Sequence, residues 1–87
     1  MQVGDLVHPS FESIIGATYS SMTDSKAQKE YNDIVNDLGI GIITNSYVSP
    51  HARMLLYTVH WSKKGIDPNL STEEDLIVIQ SVEERNK

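Results

Sequence analysis

The chain has 87 residues, no cysteine, and a formal net charge of −5 from twelve acidic and seven basic side chains. Its length allows one domain with a thin core. The absence of cysteine excludes a disulfide framework, the usual zinc finger, an iron–sulfur site and a thiol nucleophile. The acidic balance repels phosphate backbones and anionic lipid, so it disfavours nucleic acid as a partner, and no membrane partner is expected.

The N-terminus shows no basic stretch followed by an apolar stretch, so the sequence predicts no signal peptide. The longest near-continuous apolar stretch, Met54–Tyr57, is far shorter than the roughly 20 residues of a membrane span. We therefore expect a protein that is made in the cytoplasm and is neither secreted nor embedded in a membrane.

The N-terminal third is predicted to contain one strand and one long loop. Apolar residues favour a strand over Gln2–His8, and Pro9 ends it because proline cannot donate to a ladder. The following residues, up to Met22, are rich in serine and threonine and predict an ordered loop whose apolar side chains pack against the sheet.

A helix is predicted over Lys26–Asp37. Apolar residues with helical spacing form one stripe: Ala27, Tyr31, Ile34, Val35 and Leu38. Ser25 and Gln28 have the spacing of a capping box, and Gly39 fits the residue that ends a helix.

After the helix, the pattern changes to the alternation typical of strands. The predicted elements are strands Gly39–Tyr47 and Arg53–Ser62, a short edge strand Ile66–Leu70, a helical turn Ser71–Glu74 and a last strand Leu76–Ile79. A polar tail, Ser81–Lys87, is expected to fray.

Four segments carry a resemblance to a known family: Val3–Val7, Gly39–Thr44, Tyr57–Trp61 and Glu74–Ile79. In this order they resemble the small SH3-like (KOW-like) barrel proteins encoded by tailed bacteriophages. The resemblance implies a mainly β fold with one helix: a five-stranded SH3-like barrel over residues 1–80, with a helical insertion over residues 9–38 and a tail over residues 81–87. The insertion and the acidic charge depart from the family pattern.

No pattern of catalytic or metal-binding residues is present in the sequence. His8, His51 and His60 lack the spacing of metal ligands, and the acids at Glu73–Asp75 and Glu83–Glu84 flank turns where water keeps them ionised. No serine lies in a nucleophile motif, and Gly39–Gly41 is not a nucleotide-binding fingerprint. The sequence predicts no enzyme, no metal and no cofactor.

The aromatic residues allow two interpretations. Tyr47, Tyr57 and Trp61 could form an exposed binding patch. Trp61 also alternates in phase with Val59, Tyr57 and Leu55, which favours a place in the core because a small domain needs its large rings inside. We favour the core.

The helical stripe also allows two interpretations, because it can cover the chain's own sheet or a neighbouring subunit. We favour the first. If the second holds, contact residues are expected on the helix and on the edge strand: Tyr31, Ile34, Val35, Ile66 and Leu70.

The resemblance implies a structural or adaptor protein that docks on larger proteins of a virion, in several symmetric copies. One alternative is a KOW-like nucleic-acid or transcription-complex binder, in which Trp61 or Tyr57 would stack on bases. The phosphate contacts would come from basic side chains: Lys63, Lys64, Arg53, His60, Lys26 and Lys29. Another is a small phage protein that binds a host protein.

Overall fold

The structure, a computed structural model, describes residues 1–16, 23–51 and 53–85 and shows a mixed α/β fold built on one antiparallel sheet. In chain order the elements are β1 (Leu6–Pro9), α1 (Phe11–Ile15), α2 (Asp24–Leu38), β2 (Gly41–Ser49), β3 (Met54–Trp61), β4 (Gly65–Ile66), a 3₁₀ turn (Glu73–Asp75), β5 (Leu76–Gln80) and α3 (Val82–Arg85).

The sheet has the strand order β4-β3-β2-β1-β5, and every pairing in it is antiparallel. The predicted closed barrel is not found, since no ladder joins β4 to β5 in the part of the chain that the structure describes. The reason is that β4 has only two residues, and beyond it pairing with β3 continues only as a single bridge between Tyr57 and Ser71. The predicted edge strand Ile66–Leu70 is thereby shortened to Gly65–Ile66.

The core lies on one face of this sheet and consists of Val7, Ile43, Tyr57, Val59, Trp61 and Leu76. Leu38 at the end of α2 packs against it. The alternation predicted for β3 is confirmed for Tyr57, Val59 and Trp61, which are buried, whereas Leu55 in the same phase is 43% exposed. At Gly41, a Cβ atom would lie 2.7 Å from both Trp61 Cζ3 and Val59 Cγ1, so only glycine fits against this part of the core.

Helix α2 begins two residues earlier than predicted and is capped by Thr23, whose hydroxyl accepts the N–H of Lys26 at 3.3 Å. Ser25 is therefore not the cap. The predicted stop at Gly39 is confirmed, since its φ is 78° and its N–H donates to the carbonyl of Val35.

The α2 stripe is used partly within the chain. Ala27 is fully buried, and the Tyr31 hydroxyl donates to the carbonyl of Pro9 at 2.6 Å. The Tyr31 ring also packs on Phe11, with ring centroids 5.4 Å apart. Ile34 remains 37% exposed. The stripe thus anchors α2 to its own domain and leaves one large apolar side chain at the surface.

Three local predictions need correction. The loop predicted after Pro9 begins instead with α1, whose cap Ser10 also donates its hydroxyl to the Glu74 carbonyl at 2.8 Å, while residues 17–22 lie outside the described residues. The turn before β5 is capped by Thr72 and Asp75, one residue later than predicted. The predicted tail starts with α3, and its residues 86–87 lie outside the described residues.

Candidate docking surfaces

A groove between α2 and the segment that precedes the 3₁₀ turn opens onto the core. It has a volume of about 320 Å³. We call it the α2 groove and define it by its apolar lining: Ile14, Ile34, Leu38, Trp61, Leu70 and Leu76. Because Trp61 and Leu76 are core residues while Ile34 and Leu70 are exposed, the groove connects the core to the surface.

Hydrogen bonds hold the outer wall of the α2 groove in place. The Trp61 indole N–H donates to Asp67 Oδ2 at 3.3 Å, and the Asn69 N–H donates to Asp67 Oδ1 at 2.9 Å. Further along, the Asp75 carboxylate accepts from the backbone N–H and the hydroxyl of Thr72. The carboxylates at the rim are thus bonded within the chain, and the apolar side chains are what the groove offers to a partner.

A second apolar surface is the tip of the β2–β3 hairpin, which we define as Tyr47, Val48, Met54 and Leu55; these are between 42% and 61% exposed. Val48 and Leu55 are direct cross-strand neighbours. Leu55 follows the inward phase of Tyr57, so at the tip the core face of the sheet continues without a cover. The adjoining cleft, of about 380 Å³, is lined by Arg53, Thr72, Glu73 and Glu74 in addition to Met54 and Leu55.

A third apolar surface is the outer part of β5, an edge strand of the sheet. We call it the β5 edge and define it as Ile77, Val78 and Ile79, which are 47%, 37% and 43% exposed. Three consecutive apolar residues exposed on both faces of a strand indicate that neither face is fully covered.

The five predicted contact residues do not form one surface. Ile34 and Leu70 come together in the α2 groove, although 36 positions separate them in the sequence. Tyr31 is held against Pro9 and Phe11. Val35 is half-buried on α2, and Ile66, 69% exposed, lies on β4 at the edge of the sheet opposite β5.

The predicted aromatic patch is divided between the core and the hairpin tip. Tyr57 and Trp61 are 1% and 4% exposed, whereas Tyr47 is 43% exposed. The two buried rings follow the inward phase of β3, which is why they pack in the core. The three rings therefore cannot stack together on a ligand.

The histidines and the paired lysines have separate places in the fold. His8, His51 and His60 lie on β1, in the β2–β3 turn and on β3, and across the described ranges no three metal-ligating side chains group together. Lys63 Nζ donates to the Asn36 carbonyl at 2.6 Å, and Lys64 Nζ lies 3.2 Å from Asp37 Oδ2. Both lysines thus contact the C-terminal end of α2, where a positive charge is favourable.

Burial raises the pKa of the Tyr57 phenol, and the Glu73 carboxylate, which accepts the Tyr57 hydroxyl at 3.4 Å, raises this pKa further. Since an unfolded tyrosine ionises near pH 10, the stability associated with Tyr57 is complete below about pH 10 and is lost as the pH rises through the folded-state value. We expect Tyr57→Phe to reduce the alkaline loss of stability, measured by urea unfolding between about pH 9 and 11. Glu73→Gln should lose stability at alkaline pH to an extent between that of the unmodified chain and that of Tyr57→Phe. If both variants kept the pH profile of the unmodified chain, the assignment of the alkaline loss to Tyr57 would be wrong.

Several of the residues that form these surfaces were not predicted from the sequence. Ile14 and Leu76 line the α2 groove, and neither was a predicted contact residue. The β5 edge could have been predicted from the sequence. Three apolar residues in succession follow a capped turn, and a strand that is covered on only one face cannot bury all three side chains. The α2 groove had no such signal, since its residues come from distant segments.

No family model, no curated protein and no solved structure matches this chain. Within the described residues, no helix is long and apolar enough to cross a membrane. The three apolar surfaces are therefore the features of the chain that bear on its function.

Proposed function

We propose that this chain is a non-catalytic docking protein that attaches to a larger protein through its exposed apolar surfaces. The observation that carries the proposal is that, among the described residues, exposed large apolar side chains outnumber buried apolar ones. Single exposed apolar residues are ordinary, but contiguous patches mark interaction sites. Here they gather in the α2 groove, at the hairpin tip and along the β5 edge.

We further propose that the architecture is SH3-like. Two observations support this: the five strands follow a meander in which β5 returns to pair with β1, and a 3₁₀ turn directly precedes β5. Helices α1 and α2 lie between β1 and β2, where the insertion was expected. In this proposal α1 and α2 are additions to the SH3-like architecture, and they supply one wall of the α2 groove.

The proposed setting is a phage virion, in which the chain is an accessory component of the head, neck or tail. The resemblance of its strand segments to small phage proteins supports this setting, and fold alone does not determine it. The proposal predicts that quantitative mass spectrometry of purified phage particles finds the chain in a fixed ratio to a major structural subunit. If the chain were absent from the particles but abundant in infected cells, that result would contradict the virion role.

Variants of the α2 groove test whether this surface carries the docking function. Ile34→Asp combined with Leu70→Asp places charge in the groove, so we expect at least about a tenfold loss of the chain from particles. Val3→Asp is the matched control, because Val3 is 47% exposed and does not line the groove. Both proteins should keep the cooperative unfolding of the unmodified chain. Equal incorporation of the groove variant and the control would show that another surface binds the partner.

A further inference from the structure

The β5 edge has free backbone hydrogen-bonding capacity. Ser10 donates its N–H to the Asp75 carbonyl, and Pro9, the partner of Leu76, has no N–H. Pro9 and Leu76 are therefore a non-hydrogen-bonded pair, and the alternation of an antiparallel ladder makes Val78 the next such residue on β5. Leu76 and Val78 thus direct their N–H and C=O groups away from β1, toward the open edge of the sheet.

The sequence of β5 favours the addition of another strand. Sheet edges that avoid pairing usually carry charges or proline, whereas β5 reads Leu-Ile-Val-Ile-Gln, and its register shift against β1 falls after Val78, toward the end of the strand. Its side chains Ile77, Val78 and Ile79 are exposed beside the unpaired backbone groups. An added strand would gain main-chain hydrogen bonds and apolar contacts at the same time.

The charge around the β5 edge determines which strand fits. The segment 65–84 contains six of the twelve acidic residues and no lysine or arginine. Glu73–Asp75 directly precede β5 and Glu83–Glu84 follow it in α3, so acids flank the edge at both ends. Two arginines offset part of this negative charge, since Arg53 lines the same cleft as Glu73 and Glu74, and Arg85 follows Glu84 in the sequence. Acidic residues still outnumber basic ones around the β5 edge.

We propose that the β5 edge captures an extended segment of a partner protein, apolar at its centre and carrying lysine or arginine on both flanks. This inference rests on the proposed docking function and names the partner's chemistry. A second copy of this chain fits poorly. Antiparallel pairing centred on Val78 would bring Glu73 of one copy close to Glu83 of the other, and like charges in that position repel.

The test uses the isolated protein and a synthetic peptide, Lys-Lys-Val-Thr-Val-Thr-Val-Lys-Lys, with binding followed by fluorescence anisotropy at low ionic strength. The lysine-flanked peptide should bind about tenfold more tightly than the same peptide flanked by glutamate, and salt should weaken it. A peptide with proline at its central position should not bind. Equal binding of the lysine and glutamate peptides, or none, would overturn the proposal.

Two protein variants place the binding at the β5 edge. Val78→Pro removes the outward N–H without removing a bond to β1, whereas Val78→Thr keeps the N–H and serves as the matched control. We expect loss of binding only in the proline variant. Independently of that result, exchanging Glu74 and Glu84 for lysine should reverse the preference in favour of the glutamate-flanked peptide. An unchanged preference would overturn the proposal.

The outcomes separate this inference from the proposed function. Peptide binding by a chain that is absent from particles would support the edge site and contradict the virion role. Incorporation into particles of a chain that binds no peptide would support the virion role and contradict the edge site. Dimerisation that Val78→Pro abolishes would assign the β5 edge to a second copy and overturn the proposed partner.

Discussion

Replacement of Trp61 by alanine is expected to lower the free energy of unfolding by about 3–5 kcal/mol. Trp61 is 4% exposed, belongs to the six-residue core cluster, and donates its indole N–H to Asp67. The tightness of its surroundings is visible at Gly41, where even a methyl group would lie 2.7 Å from its ring. A chain of this size has little other core with which to fill the space, so equilibrium urea unfolding should show a large shift of the midpoint.

Tyr47→Ala is the matched control for the aromatic residues. Tyr47 is 43% exposed at the hairpin tip, so its removal should change stability by only about 0.5 kcal/mol. Trp61→Phe keeps a ring and removes the hydrogen bond to Asp67, so its effect should lie between the two. If Trp61→Ala left stability unchanged, the ring would have to be a surface binding element and its placement in the core would be wrong.

Local periodicity was sufficient to predict the elements in which one face is buried. Strand β3 presents Tyr57, Val59 and Trp61 to the core. Helix α2 buries Ala27, packs Tyr31 on Phe11 and packs Leu38 against the core, so in both elements the spacing of the apolar residues reflects their burial. Their ends were less accurate, because Thr23 and Ser25 are both good caps and only the hydrogen bond to Lys26 distinguishes them.

Features that depend on several segments could not be predicted in the same way. Helix α1 has one short turn and no periodicity to detect, and it is fixed by Ser10 bonding to Glu74, 64 residues away. Whether the sheet closes depends on how far β4 pairs with β3. In the sequence Ile66–Leu70, Pro68 is the one residue that indicates that this pairing stops after two residues. The α2 groove arises where these long-range contacts leave a space.

Removal of the Asp5 carboxylate is the second change for which we expect a large effect. Asp5 is 2% exposed, and both of its oxygens accept backbone N–H groups: Oδ2 from Gln2 and Oδ1 from Val82, each at 2.9 Å. The carboxylate therefore joins the N-terminal turn to the start of α3, across 77 positions of sequence. Since hydrogen bonds to a charged group contribute about 1.5–3 kcal/mol each, Asp5→Ala should lower the free energy of unfolding by about 3 kcal/mol.

Asp5→Asn separates hydrogen bonding from the shape of the side chain. The amide offers one acceptor oxygen, and its NH₂ group would face the second N–H donor, so about half of the loss should persist. Asp33→Ala, at an exposed position on α2, is the control and should be close to neutral. Hydrogen exchange at the Val82 amide should accelerate in both Asp5 variants, because α3 loses the acceptor that holds its first turn. Unchanged exchange at Val82 together with unchanged stability would mean that α3 is held by other contacts, and the sequence-based expectation of a fraying tail after β5 would then be the better description.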